Sequence, residues 1–521
     1  MLFTQTQPQP TSYLLESSTQ VEIPFGNRVS SQYLPSFRTK DLQHQSKVRF
    51  TLYRYPRHPV TPTMQMFIPS AKLVPTRSIC DSLRRSSCIE SIPNDILMHI
   101  MDLTVSDPGL AHNPLSAVLR LSHVSKRFRL IAHDASELWT LIRPRFPMDH
   151  DQVLFWLDVL ARFKARSIDI VIDVQSEQIG DTQLFETFME AVIFNSDRWR
   201  KFEITSKAWE AIHIFLGQSQ HLALLPRLEE LILYHSDDPG RRTNREVEDM
   251  TRRFHNVLFG KDVVAPILTT VRVGATYFDY SRMRSIAKDL VELRFENHTY
   301  PRTSDKREMI IDLLRASPGL QVLTLTSVDA YFNKQLQPVE LQHLKRLEFR
   351  GFPRNTYPYL LYRLRVPSLE VLYLGDCRFA ADPRMPPDYA ANRTMRMLVK
   401  LFESPANTGW YGVAGGIREL SLEYNHCRAE DVQSILELTL NVETFHMSSS
   451  DIFPVLADNQ GILPNLQRWV VKSSIFCDSS PFSTILASRP GITLFIKGNL
   501  TQDGKRLYDA LKDTHNITLC A

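Results

Sequence analysis

The sequence predicts an α/β chain: a three-helix unit, then a right-handed solenoid of parallel strands and short helices, with a disordered tail in front. Three observations carry this. A segment of the form apolar-x-x-apolar-x-apolar returns ten times between Trp199 and Val471. Ahead of it, residues 89–145 hold three short amphipathic runs separated by breakers. Residues 1–88 are rich in Ser, Thr, Gln and Pro, with nine of the 31 prolines and no tryptophan. Such a segment offers little apolar surface to offset its ordering entropy. Only Val48–Tyr53 alternates as a short strand would.

The helical unit opens at Ile92-Pro93-Asn94-Asp95. Pro93 suits a first turn, where its missing N–H has no intrahelical partner, and Asp95 meets the positive end of the helix dipole. Ile92, Ile96, Leu97, Ile100, Met101 and Leu103 then recur at three-to-four spacing on one apolar face. Asp107-Pro-Gly109 breaks the run, and Asn113-Pro114 restarts it with an N-cap and a first-turn proline. Leu115, Val118, Leu119, Leu121 and Val124 mark a second helix, Phe128, Leu130 and Ile131 a third, and Leu138-Trp139 closes the unit. A core of about fifty residues cannot hide so much apolar surface, so part of it is expected to meet a partner.

These residues resemble an F-box, whose pattern runs Leu-Pro-x-Glu-Ile/Leu, then Val-Cys-Lys-x-Trp/Phe, then Leu-Trp. Here the three submotifs read Ile92-Pro93-Asn94-Asp95-Ile96-Leu97, Val124-Ser125-Lys126-Arg127-Phe128 and Leu138-Trp139. The departures are Ile for Leu at 92, Asp for Glu at 95, Ser for Cys at 125 and Phe for Trp at 128. The resemblance implies docking on a Skp-type adaptor through Ile92, Pro93, Ile96, Leu97, Ile100, Val124, Phe128 and Trp139.

From residue 146 to 521 helix and strand alternate, beginning with a helix over 153–163 and a strand carrying Ile168, Ile170 and Ile172. The leading residues of the ten strand segments follow one another at 22 to 30 residues, apart from two intervals of 40 and 48. Those two read as one repeat plus an insertion, or as two repeats with one degenerate. The period resembles an irregular leucine-rich-repeat solenoid. Cys377 and Asn425 fall where that family carries Asn or Cys. In each strand the apolar positions point inward and the intervening ones outward. The outward set, with Tyr234, includes Arg272, Arg294, Glu296, Glu348, Arg350, Tyr373, Glu423, His446 and Lys472, expected on a concave face that binds a protein target.

Composition excludes several classes. The net charge is +4, but residues 1–90 carry 11 Lys+Arg against 5 Asp+Glu, so the remainder is almost neutral and does not read as a nucleic-acid-binding body. No apolar run is long enough for a membrane span, and no early stretch resembles a signal peptide. Six scattered cysteines without a C-x-x-C suit a reducing interior, cytoplasmic or nuclear. Gly260-Lys261 lacks the upstream glycine of a P-loop, Gly217-Gln-Ser219-Gln lacks the last glycine of a nucleophile elbow, and His426-Cys427 has no companion ligands. The chain is therefore expected to be neither an enzyme nor dependent on a cofactor. The resemblance implies a substrate receptor of a cullin–RING ubiquitin ligase of the SCF type, for ubiquitin-dependent degradation of an unknown protein target. The alternative is a non-ligase interaction scaffold in which the three helices merely cap the solenoid.

Overall fold

The structure, a computed structural model, describes residues 92–106, 114–162, 166–236, 258–276, 280–296, 309–328, 337–351, 356–375, 388–403, 409–410, 412–423, 429–447, 456, 459, 461–472, 480–497, 502–513 and 515–520. The expected tail over 1–88, the strand at 48–53, and Cys377 and Asn425 lie outside these residues.

Three helices come first: α1 (Asn94–Ser106), α2 (Pro114–Ser122) and α3 (Lys126–Asp134), followed by a 3-10 turn at Ser136–Trp139. Pro93 sits one residue ahead of α1, and its carbonyl accepts the Leu97 N–H at 3.0 Å. Pro114 is the first residue of α2, as its fixed φ favours. Ser125 caps α3: its hydroxyl accepts the Phe128 N–H at 3.2 Å. A cysteine there would be a far weaker acceptor, so this departure from the F-box pattern stabilises the helix start. The Arg127 guanidinium donates from Nε to Asn94 Oδ1 at 2.9 Å and from Nη2 to the Ile92 carbonyl. It thereby ties α3 to the entry of α1. Trp139 donates its indole N–H to the Ala132 carbonyl at 2.7 Å.

Leu97, Met101, Val118, Ile131, Leu138 and Trp139 are buried together, and their cluster runs without a break into the core of the strands that follow. α2 packs on β1 (Leu141–Ile142), the first strand of the sheet.

After β1 and β2 (Arg145–Phe146), α4 (His150–Arg162) leads into β3 (Ile168–Val174). Then come α5 (Thr182–Phe194), β4 (Trp199–Ser206), α6 (Trp209–Ser219), β5 (Glu230–His235), β6 (Thr270–Gly274), β7 (Glu292–Glu296) and β8 (Val322–Thr326). β9 (Val339–Glu340) pairs with β11 (Leu364–Arg365) apart from the main sheet. The main sheet continues through β10 (Arg346–Arg350), β12 (Val371–Gly375), β13 (Glu419–Glu423), β14 (Thr444–Met447), β15 (Arg468–Lys472), β16 (Thr493–Lys497) and β17 (Ile517–Cys520). Among the described residues it holds fifteen strands, stacked essentially in chain order. Every neighbouring pair named here runs parallel, from β3–β4 to β16–β17.

This is a leucine-rich-repeat-like solenoid. All three apolar positions of each of the ten segments are buried, none more than 7% exposed. β5 pairs directly with β6, and β12 with β13, so the intervals of 40 and 48 are single repeats with insertions. A helix at Asp388–Glu403 occupies the second insertion. Aromatic rings fill the early repeats: Trp199 stacks on Phe202 at 4.3 Å, and Phe202 on Phe215 at 4.6 Å. Asparagines placed just before two strands add cross-repeat bonds, Asn441 Nδ2 to the Gly415 carbonyl at 2.6 Å and Asn465 Nδ2 to the Leu440 carbonyl at 3.2 Å.

Candidate functional site

Two surfaces stand out, one on the helical unit and one on the sheet. On α1, Ile96, Ile100 and Leu103 lie at i, i+4 and i+7, a single stripe, and are 48%, 45% and 59% exposed. Val124 and Leu130 on the same unit are 60% and 57% exposed. Ile92 and Phe128 are half-buried at the margin, and Pro93 is exposed. Leu97 and Trp139 behave differently. They are buried inside the unit, so a partner cannot reach them; they brace the helices that carry the stripe. Leu97 follows Ile96 directly in the motif, but a helix turns a neighbouring residue by about 100°, onto the other face.

On the sheet, the expected outward residues stand in rows fixed by the parallel register. Arg272 pairs with Arg294, Gly274 with Glu296, Arg350 with Gly375, Ser421 with His446, and Lys472 with Lys497. Arg272, Arg294, Glu296, Arg350, Glu423 and His446 are partly accessible. Glu348 and Tyr373 are buried, 6% and 7% exposed, and do not present themselves to a partner. The cause is packing among the outward side chains, along the strand for Glu348 and across it for Tyr373. Glu348 is gripped by Arg350 at 2.5 Å and Arg346 at 3.7 Å, and Tyr373 lies under the Arg350 guanidinium, 4.1 Å from the ring centre. Burial, with a hydrogen bond to Glu423, pushes the Tyr373 phenol above its ordinary pKa.

The first half of the face is laced by ion pairs that the single-strand pattern missed. Lys201 bridges Glu203 at 2.9 Å and Glu230 at 3.2 Å; Arg272 bridges Glu230 at 3.8 Å and Glu292 at 3.0 Å; Arg294 also pairs with Glu292. Burial opposes ionisation of Glu292, yet hydrogen bonds from Arg272 and the charge of Arg294 outweigh it and hold the carboxyl below its usual range. Further along, His446 Nε2 lies 3.2 Å from Glu419 and lowers that carboxyl through their hydrogen bond. Glu230, Glu292 and Glu419 all occupy the first outward slot of their strands, a signal present in the sequence but visible only once strands are set side by side.

A cavity of about 340 Å³ opens on this half, lined by residues that include Ile232, Tyr234, Arg294 and Glu296. Another, of about 490 Å³, lies where the helical unit joins the repeats, between Arg143, Arg145, Met148, Phe155 and Trp156. Among the described residues no three His, Cys, Asp or Glu side chains group as metal ligands, and no helix is long and apolar enough to cross a membrane.

Residues 89–145 match the F-box-like family model. No curated protein matches the chain. Among solved structures the chain is similar to an internalin (inlF) from Listeria monocytogenes, at 10% identity over 77% of this chain and 98% of that one, with a TM-score of 0.32. It is also similar to a chain of the yeast Rad7 and Elc1 complex, at 13% identity over 81% and 98%, TM-score 0.34. A third likeness is to a chain of the TLR13–ssRNA13 complex, at 12% identity over 74% and 54%, TM-score 0.23. The architecture itself rests on the strand pairing above: an F-box-like unit followed by a leucine-rich-repeat-like solenoid.

Proposed function

We propose that this chain is a substrate-receptor subunit of a cullin–RING ubiquitin ligase of the SCF type. The F-box-like unit docks a Skp-type adaptor, and the concave face of the repeats holds a protein target for ubiquitin transfer by other subunits. The chain itself supplies positioning, which raises the effective concentration of a target lysine near the activated ubiquitin. The observation that carries this reading is the stripe Ile96, Ile100 and Leu103, with Val124 and Leu130, left facing solvent in the segment that matches the F-box-like model. An exposed apolar patch on an otherwise well-packed unit marks an interaction surface. Its core would be Ile96 and Ile100, with Ile92, Pro93, Val124 and Phe128 at the rim. Leu97 and Trp139 serve the same surface from inside.

A capping role for the helices has its own support, since their buried face joins the repeat core. The two roles use opposite faces of the same unit and separate by experiment. Tagged full-length chain is co-expressed with a Skp-type adaptor and cullin, with and without Ile96→Asp/Ile100→Asp. Adaptor retained by the parent chain and lost by the variant, at unchanged melting temperature, supports the receptor reading. A parent chain that retains no adaptor leaves the helices as a cap and sinks it.

A further inference from the structure

The third outward position across β5, β6 and β7 reads Tyr234, Gly274, Glu296, and across β10, β12 and β13 it reads Arg350, Gly375, Glu423. Both rows have glycine in the middle strand, a residue that weakens a strand interior unless another group needs the space. Here a tyrosine ring needs it. A Cβ on Gly274 would collide with the ring of Tyr234, and one on Gly375 would meet Tyr373 Cε1 at 2.8 Å. Each glycine is thus a notch with a tyrosine leaning over it and a carboxylate on the far strand.

The second notch is filled from within. Arg350 lies 4.1 Å over the Tyr373 ring, and the Tyr373 hydroxyl bonds to Glu423. The first notch has the ring and the acid without the cation. Among the described residues Glu296 makes no ion pair, while Lys201, Arg272 and Arg294 are engaged with Glu203, Glu230 and Glu292. Of the charged residues lining the 340 Å³ cavity, Lys201, Arg272 and Arg294 are each held by a carboxylate, and Glu296 is the acid left without an ion pair among the described residues. Tyr234 is near enough to Glu296 that this charge, added to burial, raises its phenol pKa.

We propose that Tyr234 and Glu296, across Gly274, receive an arginine side chain of the protein target, its guanidinium stacked on the ring and paired with the carboxylate. In the second notch the chain stacks its own Arg350 on a tyrosine in this way, with Glu348 as the paired carboxylate and Glu423 taking the Tyr373 hydroxyl. This rests on the reading of the concave face as the target surface, and it names the chemistry that surface selects.

The test uses the full chain, with adaptor where it co-purifies, and fluorescein-labelled hexa-arginine followed by polarisation. Hexa-arginine should bind more tightly than hexa-citrulline of the same length, which keeps the shape and lacks the charge. Glu296→Gln and Tyr234→Leu should each weaken it about fivefold, in line with the modest strength of exposed cation–π and ion-pair contacts. Tyr234→Phe, which keeps the ring face, should bind as the parent does. Glu340→Gln removes an acid from the separate β9–β11 pair and should change nothing. Equal binding of hexa-citrulline, indifference to Glu296→Gln, or an equal loss from Glu340→Gln would overturn the proposal. Melting curves on each variant separate loss of the notch from loss of fold. If the peptide fails these tests while the adaptor still co-purifies, the arginine notch falls and the receptor reading stands; if no adaptor co-purifies, the receptor reading falls on its own result.

Discussion

The helical unit and the repeat sheet treat apolar surface in opposite ways. In the sheet every inward position of the ten segments is hidden, and the outward face is held by ion pairs along and across the strands and by a cation stacked on a tyrosine. In the helices a complete core coexists with five large apolar side chains at 45% exposure or more. The sheet satisfies itself; the helices keep a face in reserve. The contrast separates residues that hold the fold from residues free to act, and it can be pressed by substitution.

The largest effect is expected at Leu97, 2% exposed. Leu97→Asp buries an unpaired carboxylate, which costs several kcal/mol. The helical unit should lose its protection from amide exchange, and adaptor binding would be lost with it. Were Leu97 part of the docking face instead, the unit would stay protected. In the sheet, Trp199→Ala removes a fully buried ring stacked on Phe202 and leaves a cavity, for a loss of about 3–5 kcal/mol in denaturant unfolding.

A smaller, pH-dependent effect comes from His213, which burial and the charge of His235 hold down to about 4 from 6.5. Between those values the unfolded chain binds the extra proton. Stability therefore rises with pH through the window, is complete above about 6.5, and is lost as pH falls toward 4. The span is about 3 kcal/mol at most. Melting temperature against pH should slope across this range in the parent and flatten in His213→Asn. Least of all for stability is Ile96→Asp/Ile100→Asp, within about 0.5 kcal/mol per site because both side chains already face water. A large drop in melting temperature there would show that the stripe is packed and would erase the distinction between the two regions.

The solenoid was legible because a strand with one buried face repeats with period two, and the triplet at Leu231 and Leu233 or Leu372 and Leu374 survives any change between strands. β16 and β17 escaped the triplet because its leading slot holds Gly491 and Thr514 in front of Leu494 and Ile517. The helical unit was legible as a unit but not by face: Leu97 and Ile96 are neighbours in sequence with opposite fates. On the concave face, alternation placed Glu348 and Tyr373 outward, and so they lie. What buries them is side-chain packing that alternation does not record: Arg346 and Arg350 of its own strand close over Glu348, and Arg350 reaches across the ladder to cover Tyr373.

The direct pairing of β5 with β6 and of β12 with β13 makes the sheet a ruler. From Gly274 on β6 to Gly375 on β12 there are four rungs, through β7, β8 and β10. At about 4.8 Å per rung the two notches lie about 19 Å apart. The chain is free to lengthen or shorten the excursions between strands, because they leave and return at strand ends. Such changes alter the scenery beside the face and leave the distances marked along it unchanged.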